Sequence, residues 1–311
     1  MKKLGAFFKL VRWPNLLITA LTMCLVYHCI MGLSSTLAFT LLVISMVLIQ
    51  AGGYVINDIF DVVIDAINKP QKQIVGKIFT EKQGNLFYWS LTIIGLCCGL
   101  AASVMANGKN FITIFASLIL LACFLYSYSS RYKKKLLIGN LIVSLSVAFA
   151  VFLPWLFQLL AMLGNKEMLL ENQEWMHVTL NIVLIYTAFA FILTFIREIV
   201  KDMEDMKGDG LSHCRTIPII LGIKAAMIIV LVLCLSAFIM IMYAKEYLYD
   251  FGFTITGYLL NGTGIFMFTM MFGNVFGLLD SSFRTSKQFH MQSIAMKISM
   301  LIGILSIFFI K

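Results

Sequence analysis

The stretch INDIFDVVIDAINKP at residues 56–70 sets Asn57, Asp58, Asp61 and Asp65 directly after an apolar run covering 37–56. A second stretch, REIVKDMEDMKGD at 197–209, carries Asp202, Asp205 and Asp209. Both read D-x-x-D-x-x-x-D, and the offset is 144 residues at all three positions. This spacing predicts that each triplet lies on one face of a helix continuing from the preceding apolar run, with Asn57 one turn before Asp61. Gly208 is expected to end the second helix. Like charges at such positions repel, and at a helix C-terminus they also oppose the dipole. Taken singly, either triplet reads as a solvated helix end screened by lysines. Recurrence at one spacing instead calls for a shared positive partner.

Carboxylate oxygens suit Mg²⁺, which keeps several waters and is held by one or two carboxylates plus substrate phosphate oxygens. Two Asp-rich helices facing each other would cage a diphosphate bridged by Mg²⁺. All six Asp are then metal-ligand candidates, and Asp58, Asp61, Asp202 and Asp205 are the candidates for the catalytic role. Positive charge for the remaining phosphate oxygens is available from Arg197, Lys201, Lys69, Lys72 and the cluster RYKKK at 131–135, which includes Lys134. A diphosphate with a long apolar tail places its head at a membrane surface and its tail among helices, and each buried CH₂ contributes about 0.8 kcal/mol. Stabilising the departing diphosphate would release an allylic cation. Aromatic faces can shield such a cation, and the chain has 26 Phe and 11 Tyr.

The elements that must position these groups are membrane helices. The 311 residues are 60% apolar and only 13% charged, with a mean hydropathy of +0.93. Soluble domains are about 45–50% apolar and about 25% charged. Nine runs are long enough to span a bilayer, at 15–32, 37–56, 86–106, 111–128, 136–162, 178–196, 217–243, 253–278 and 291–310. The expected fold is all-α: one domain over 1–311, a bundle of nine transmembrane helices around a central cavity open to the cytoplasmic face. With the N-terminus cytoplasmic and the C-terminus outside, all of the 24 Lys and Arg except Lys109, Lys166, Lys245 and Lys311 fall on the inner side. The net charge of +9 therefore reflects topology and an anionic ligand rather than nucleic acid. The basic N-terminus precedes no small-residue cleavage site, so the first helix is expected to be retained. Six of the seven Cys lie in predicted spans and no C-x-x-C occurs, which implies neither a disulfide framework nor a zinc site.

These features resemble the UbiA superfamily of membrane prenyltransferases. KLVRWPNLL at 9–17 is similar to the family's basic-Pro-Asn entry to its first helix, and GGYVINDIFDVVIDAINKP at 52–70 to its first Asp motif. REIVKDMEDMKGD with RTIPIILG at 215–222 is similar to its second, and LYSYSSRYKKKLLIGNLIVS at 125–144 to its basic loop ending in Gly-Asn. The resemblance implies Mg²⁺-dependent transfer of a prenyl group from its diphosphate. Asn57 and the six Asp would hold Mg²⁺ and diphosphate, while Lys201 and Lys134 match diphosphate-binding lysines. The stretch QKQIVGK at 71–77 departs from the family's usual Arg-Pro pattern, with Lys72 in place of the Arg.

The style of the second motif is nearest to members that alkylate a glycerol-phosphate lipid hydroxyl with a geranylgeranyl-like group. Aromatic acceptors, as in quinone biosynthesis, are the alternative within the family, and one sequence exposes neither prenyl length nor oligomeric state. A cation or solute transporter is the rival from another class. Transporters, however, gather ionisable residues near the bilayer midplane rather than at one face. A purely structural membrane scaffold is the third reading.

Lesser candidates have plainer expected roles. His213 reads as a loop residue, with proton acceptor as its functional alternative. Glu198 reads as a partner in a helix-surface ion pair, with orienting Lys201 or Arg197 as its functional alternative. Asp280 and Arg284 read as an i,i+4 pair, and His28 as a packing residue. Trp13, Trp89 and Trp175 read as interfacial anchors, and Trp155 beside Pro154 as the mark of a kink.

Overall fold

The computed structural model describes residues 2–31, 35–68, 70–71, 73–164, 166–211 and 214–310; Lys69, Lys72, His213 and Lys311 lie outside these segments. The described residues are almost entirely helical: α1 Lys2–Leu10, α2 Trp13–Leu25, α3 Thr36–Phe60, α4 Val62–Asn68, α5 Glu81–Asn107, α6 Phe111–Ser130, α7 Ile138–Met162, α8 Lys166–Glu171, α9 Gln173–Glu204, α10 Met206–Leu211, α11 Ile217–Ile220, α12 Ile223–Asp250, α13 Thr254–Leu279 and α14 Ser286–Ser306. Among the described residues, eight helices are long and apolar enough to cross a membrane, and a bent pair, Lys3–Leu10 with Trp13–His28, brings the count to nine if it is one broken span. Eight of the expected spans are therefore present, with corrections at their ends, and the first takes the form of the bent pair.

The first span is not one straight helix. It bends by 53° between α1 and α2 and finishes as a π-helical turn, Val26–Met31. Pro14 in the first turn of α2 suits a helix start, where the missing N–H is no loss. The sixth span outruns the predicted 178–196 and carries Asp202, the first residue of the second Asp motif, on α9 itself. Hydropathy ends at Ile196 but the helix does not, because Arg197, Glu198 and Lys201 pair with one another along it. The seventh begins at Ile223 rather than 217. Pro218 opens the separate short helix α11, and Gly222, at φ 84°, turns the chain into α12.

The chain divides into two compact units, Met1–Tyr132 with Phe149–Val183 and Lys133–Ala148 with Leu184–Lys311. In the first, Met23, Tyr27, Phe39, Leu42, Met46, Leu118 and Phe157 form a buried core, with the rings of Tyr27 and Phe39 stacked 3.7 Å apart. His28, expected to pack, is exposed and meets Tyr27 and Phe39 only edge-on. Helices α3 and α5 approach through glycines, as membrane helices do when small residues let backbones close up. A Cβ on Gly52 would lie 2.6 Å from Thr92 Oγ1, and one on Gly99 2.6 Å from Ser45 Oγ. Thr80 opens α5 with a capping box to Gln83.

In the second unit, α12 packs on α13 and α13 on α14. The expected Asp280–Arg284 pair is replaced by two separate caps. Arg284 donates Nε to the carbonyl of Gly277 at 2.6 Å and Nη2 to that of Leu278 at 3.2 Å, at the C-terminus of α13, where a cation suits the dipole. Asp280 instead accepts from the side chain and backbone N–H of Ser282, which hold its carboxyl below the usual range.

Candidate functional site

Both Asp triplets interrupt their helices at the middle Asp. Asp61 stands between α3 and α4, and Asp205 between α9 and α10. The expected uninterrupted helical face is therefore corrected. Asp65 and Asp209 fall in the first turns of new helices, where a carboxylate faces the positive end of the dipole. This relieves part of the charge conflict that the spacing alone implied. Gly208 does not terminate its helix either, since α10 continues to Leu211.

In the first unit the site is built on the end of α3. Asn57 donates Nδ2 to Asp61 Oδ2 at 2.8 Å, and both residues are buried, at 8% and 4% exposure. Only the amide nitrogen can face a carboxylate, so the Asn57 Oδ1 direction is set by this bond. That oxygen is buried and, among the described residues, meets no hydrogen-bond partner. An Asn carbonyl aimed beside a buried carboxylate is a hard-oxygen pair suited to a divalent cation. Asp58 accepts from Arg12 Nη2 at 3.0 Å, and the Arg12 guanidinium lies 4.8 Å from the Tyr54 ring centre. Arg12 occupies the bend between α1 and α2 in a left-handed conformation, φ 52°, which a non-glycine residue adopts only when its surroundings hold it there. Here Asp58 and Tyr54 do so.

In the second unit, Asn140 in the first turn of α7 donates Nδ2 to Asp202 Oδ2 at 2.9 Å. Glu198, buried at 8% exposure, accepts from Arg197 Nη1 at 3.1 Å and from Lys201 Nζ at 2.9 Å. It thus pairs with both cations expected to meet phosphate, from a buried position rather than the helix surface of the ion-pair reading. Lys134 is exposed on a short 3₁₀ turn, and its carbonyl accepts the Arg215 N–H at 2.9 Å, joining the basic loop to the segment after the second motif. Asp205 and Asp209 are half-buried and linked by their backbones, Asp209 N–H to the Asp205 carbonyl at 3.1 Å. Glu204 Oε1 meets His290 Nδ1 at 2.9 Å. Lys72 and His213 fall outside the described residues.

Arg12 and Asn140 were not among the sequence-level site candidates. Both stand in the quoted stretches KLVRWPNLL and LLIGNL, but their carboxylate partners lie 46 and 62 residues away. Among the described residues, no three Asp, Glu, His or Cys side chains are grouped closely enough to hold a metal unaided.

Residues 11–301 match the UbiA prenyltransferase family. The chain is 32% identical over 255 residues to digeranylgeranylglyceryl phosphate synthase of Sulfurisphaera tokodaii, covering 79% of this chain and 82% of that one. A solved structure described as digeranylgeranylglyceryl phosphate synthase in membranes superposes with TM-score 0.63 at 24% identity, over 99% of this chain and 98% of that one. A UbiA homolog from Archaeoglobus fulgidus bound to GPP and Mg²⁺ superposes with TM-score 0.56 at 14% identity, over 97% and 99% of the two chains. At these identities the structural likeness establishes the fold.

Proposed function

Because this chain belongs to the UbiA prenyltransferase family, we propose that it transfers a geranylgeranyl group from its diphosphate to the free hydroxyl of a glycerol-phosphate lipid. The observation that carries the metal–diphosphate reading is the buried Asn57–Asp61 pair, which leaves one aimed carbonyl oxygen without a partner among the described residues. The choice of acceptor rests on the relatives named above, whose product carries two such groups on glyceryl phosphate.

In this reading Asn57, the first Asp triplet and the second Asp triplet hold Mg²⁺ and the diphosphate head. Lys134 and Lys201 add positive charge to the phosphate oxygens, Glu198 keeps Lys201 in place, and Arg12 keeps Asp58 in place. Bound Mg²⁺ supplies charge that stabilises the diphosphate as it leaves. The acceptor oxygen forms a bond to C1 of the prenyl chain. The C1–O bond to the diphosphate breaks, its electron pair leaves with the diphosphate, and the hydroxyl proton is released. The hydrocarbon chain stays among the apolar helices, so only the head needs polar contacts.

The test supplies the purified protein with labelled geranylgeranyl diphosphate and a panel of acceptors: geranylgeranylglyceryl phosphate, hydroxybenzoate and dihydroxynaphthoate. Mg²⁺-dependent label in the glycerol-phosphate lipid is the expected result. Label only in an aromatic acid would replace this acceptor with the other class, and ion flux without prenyl transfer would remove the enzyme reading.

A further inference from the structure

Helix α1 is not needed to cross a bilayer. Residues 13–31, helical throughout, are about 28 Å long at about 1.5 Å per residue, which matches a hydrocarbon core of about 30 Å. The 53° bend before them turns α1 off the axis of α2. It does so on the face that carries the first Asp motif, because Arg12 in the bend reaches Asp58 at 3.0 Å. A helix placed there lies where headgroups meet hydrocarbon.

The sequence of α1, KKLGAFFKL, sorts its side chains to suit that level. Ala6 and Leu10, one turn apart, are buried in one core with Val75 and Phe79. Phe7 meets Phe87 at a ring separation of 5.2 Å, and Phe87 meets Phe79 at 5.2 Å. Leu4 and Phe8, also one turn apart, share a different face and are 64% and 48% exposed. Lys9, about 100° further round than Phe8, is exposed, as is Lys3. One short helix thus has a face for the protein, an apolar face turned outward, and basic groups beside it.

The turn at 74–79 extends this surface. Gly76, at φ 87°, donates its N–H to the Phe79 carbonyl at 2.8 Å, and Ile78 donates to the Ile74 carbonyl at 2.8 Å. Val75 and Phe79 are thereby buried with α1, while Lys77 and Ile78 stay exposed, Lys77 donating to the Pro70 carbonyl. Residues 2–10 and 73–82 together contain five lysines and one carboxylate, Glu81. Exposed apolar side chains bordered by lysines complement a surface that is hydrocarbon beneath and negative above. An acidic soluble partner would answer the lysines but not Leu4, Phe8 and Ile78.

We propose that α1 and the turn at 74–79 form a binding surface for anionic lipid headgroups, with Leu4, Phe8 and Ile78 in the acyl layer. Through the bend, that contact fixes Arg12 and with it the Asp58 carboxylate. Arg12 has a left-handed backbone, φ 52°, so a movement of α1 falls directly on it. The surface lies outside the groups read as holding metal and diphosphate, and lipid binding there does not depend on which acceptor the enzyme uses.

The probe is phosphatidylserine, which is anionic but offers no free hydroxyl to a prenyl group. With the full-length protein in neutral detergent, phosphatidylserine should raise the melting temperature in a salt-sensitive way, and phosphatidylcholine should not. The double variant Lys3→Gln, Lys9→Gln should melt like the parent without lipid, since both side chains are exposed. It should need at least about tenfold more phosphatidylserine for the same shift, because each lysine at an anionic surface contributes about fivefold. In vesicles, adding phosphatidylserine to phosphatidylcholine should speed transfer by the parent. The double variant should match the parent in phosphatidylcholine and lose most of that rise. Leu4→Ser with Phe8→Ser should weaken phosphatidylserine binding without altering the oligomeric state.

Equal melting shifts in the parent and the lysine variant, or none in the parent, would overturn the binding surface. A changed oligomeric state in the Leu4, Phe8 variant would overturn it too, by giving the apolar face to a second copy. Lipid binding with no response of transfer would overturn the link to Arg12. The melting experiments need no turnover, so failure of the prenyl-transfer reading is distinguishable from failure of this one.

Discussion

Asn140 holds Asp202 by a 2.9 Å hydrogen bond from its side-chain amide. The basic loop thus ends in a residue that orients a carboxylate of the second Asp motif. Groups that orient ligating carboxylates typically cost 10- to 100-fold in metal affinity or activity when removed. Asn140→Ala should therefore raise the Mg²⁺ concentration needed for half-maximal transfer by about tenfold, with the protein still folded. Asn140→Asp should do worse, because it sets a like charge against Asp202. Mg²⁺ titrations of prenyl transfer check both, and an unchanged curve for the Ala variant would remove Asn140 from the site.

Arg12 tests whether a surface-type ion pair serves stability or function. Its side chain is 41% exposed against 17% for Asp58, so the pair contributes no more than about 1 kcal/mol to folding. Arg12→Ala should consequently shift thermal stability little and reduce transfer strongly, by about tenfold or more. Arg12→Lys should fall between, because lysine keeps the charge but loses the planar fork and most of the stacking on Tyr54. Parallel melting curves and initial rates separate the two effects.

Asp61→Ala and Asp205→Ala should each lower Mg²⁺-dependent transfer by at least about 100-fold. Full turnover in both variants would end the metal–diphosphate account. Asn57→Ala should also fail, since it removes both the support of Asp61 and the unused carbonyl oxygen. Chelation gives the complementary result. With Mg²⁺, prenyl diphosphate at 100 times its Kd should stabilise the fold by about 2.7 kcal/mol, and a chelator should abolish that gain.

Glu198→Gln should uncouple the two cations it holds. The neutral amide still accepts a hydrogen bond but no longer offsets Arg197 and Lys201, both of which are partly exposed. A stability loss of about 1–3 kcal/mol is expected, together with a higher KM for the prenyl diphosphate as Lys201 loses its fixed position. Steady-state kinetics at varied diphosphate check the second part, which a purely structural role for Glu198 would leave unmoved.

Eight spans and the two Asp triplets were legible because hydropathy and spacing are local properties of the chain. The breaks at Asp61 and Asp205 were not. An Asp every three or four residues is compatible with one long helix, and the backbone path is settled by packing beyond the motif. The continuation of α9 beyond its apolar run was legible from the Asp spacing, and on it the buried Glu198 accepts from Arg197 and Lys201. Thr285 starts α14 earlier than expected, with a capping box to Gln288 ahead of the apolar run. Arg12 and Asn140 needed the fold itself, since no local pattern says which distant carboxylate a basic or amide side chain will meet.

The close seam between α3 and α5 bears on how this enzyme tolerates mutation. Gly52 and Gly99 are not among the groups read as holding metal or diphosphate, yet a Cβ there would come within 2.6 Å of Thr92 Oγ1 or Ser45 Oγ and force a shift in the seam beside the helix end that carries Asn57. A random screen for inactive variants should therefore recover these two glycines alongside the aspartates. Inherited or selected defects at such positions would look like catalytic lesions while arising wholly from displaced scaffolding.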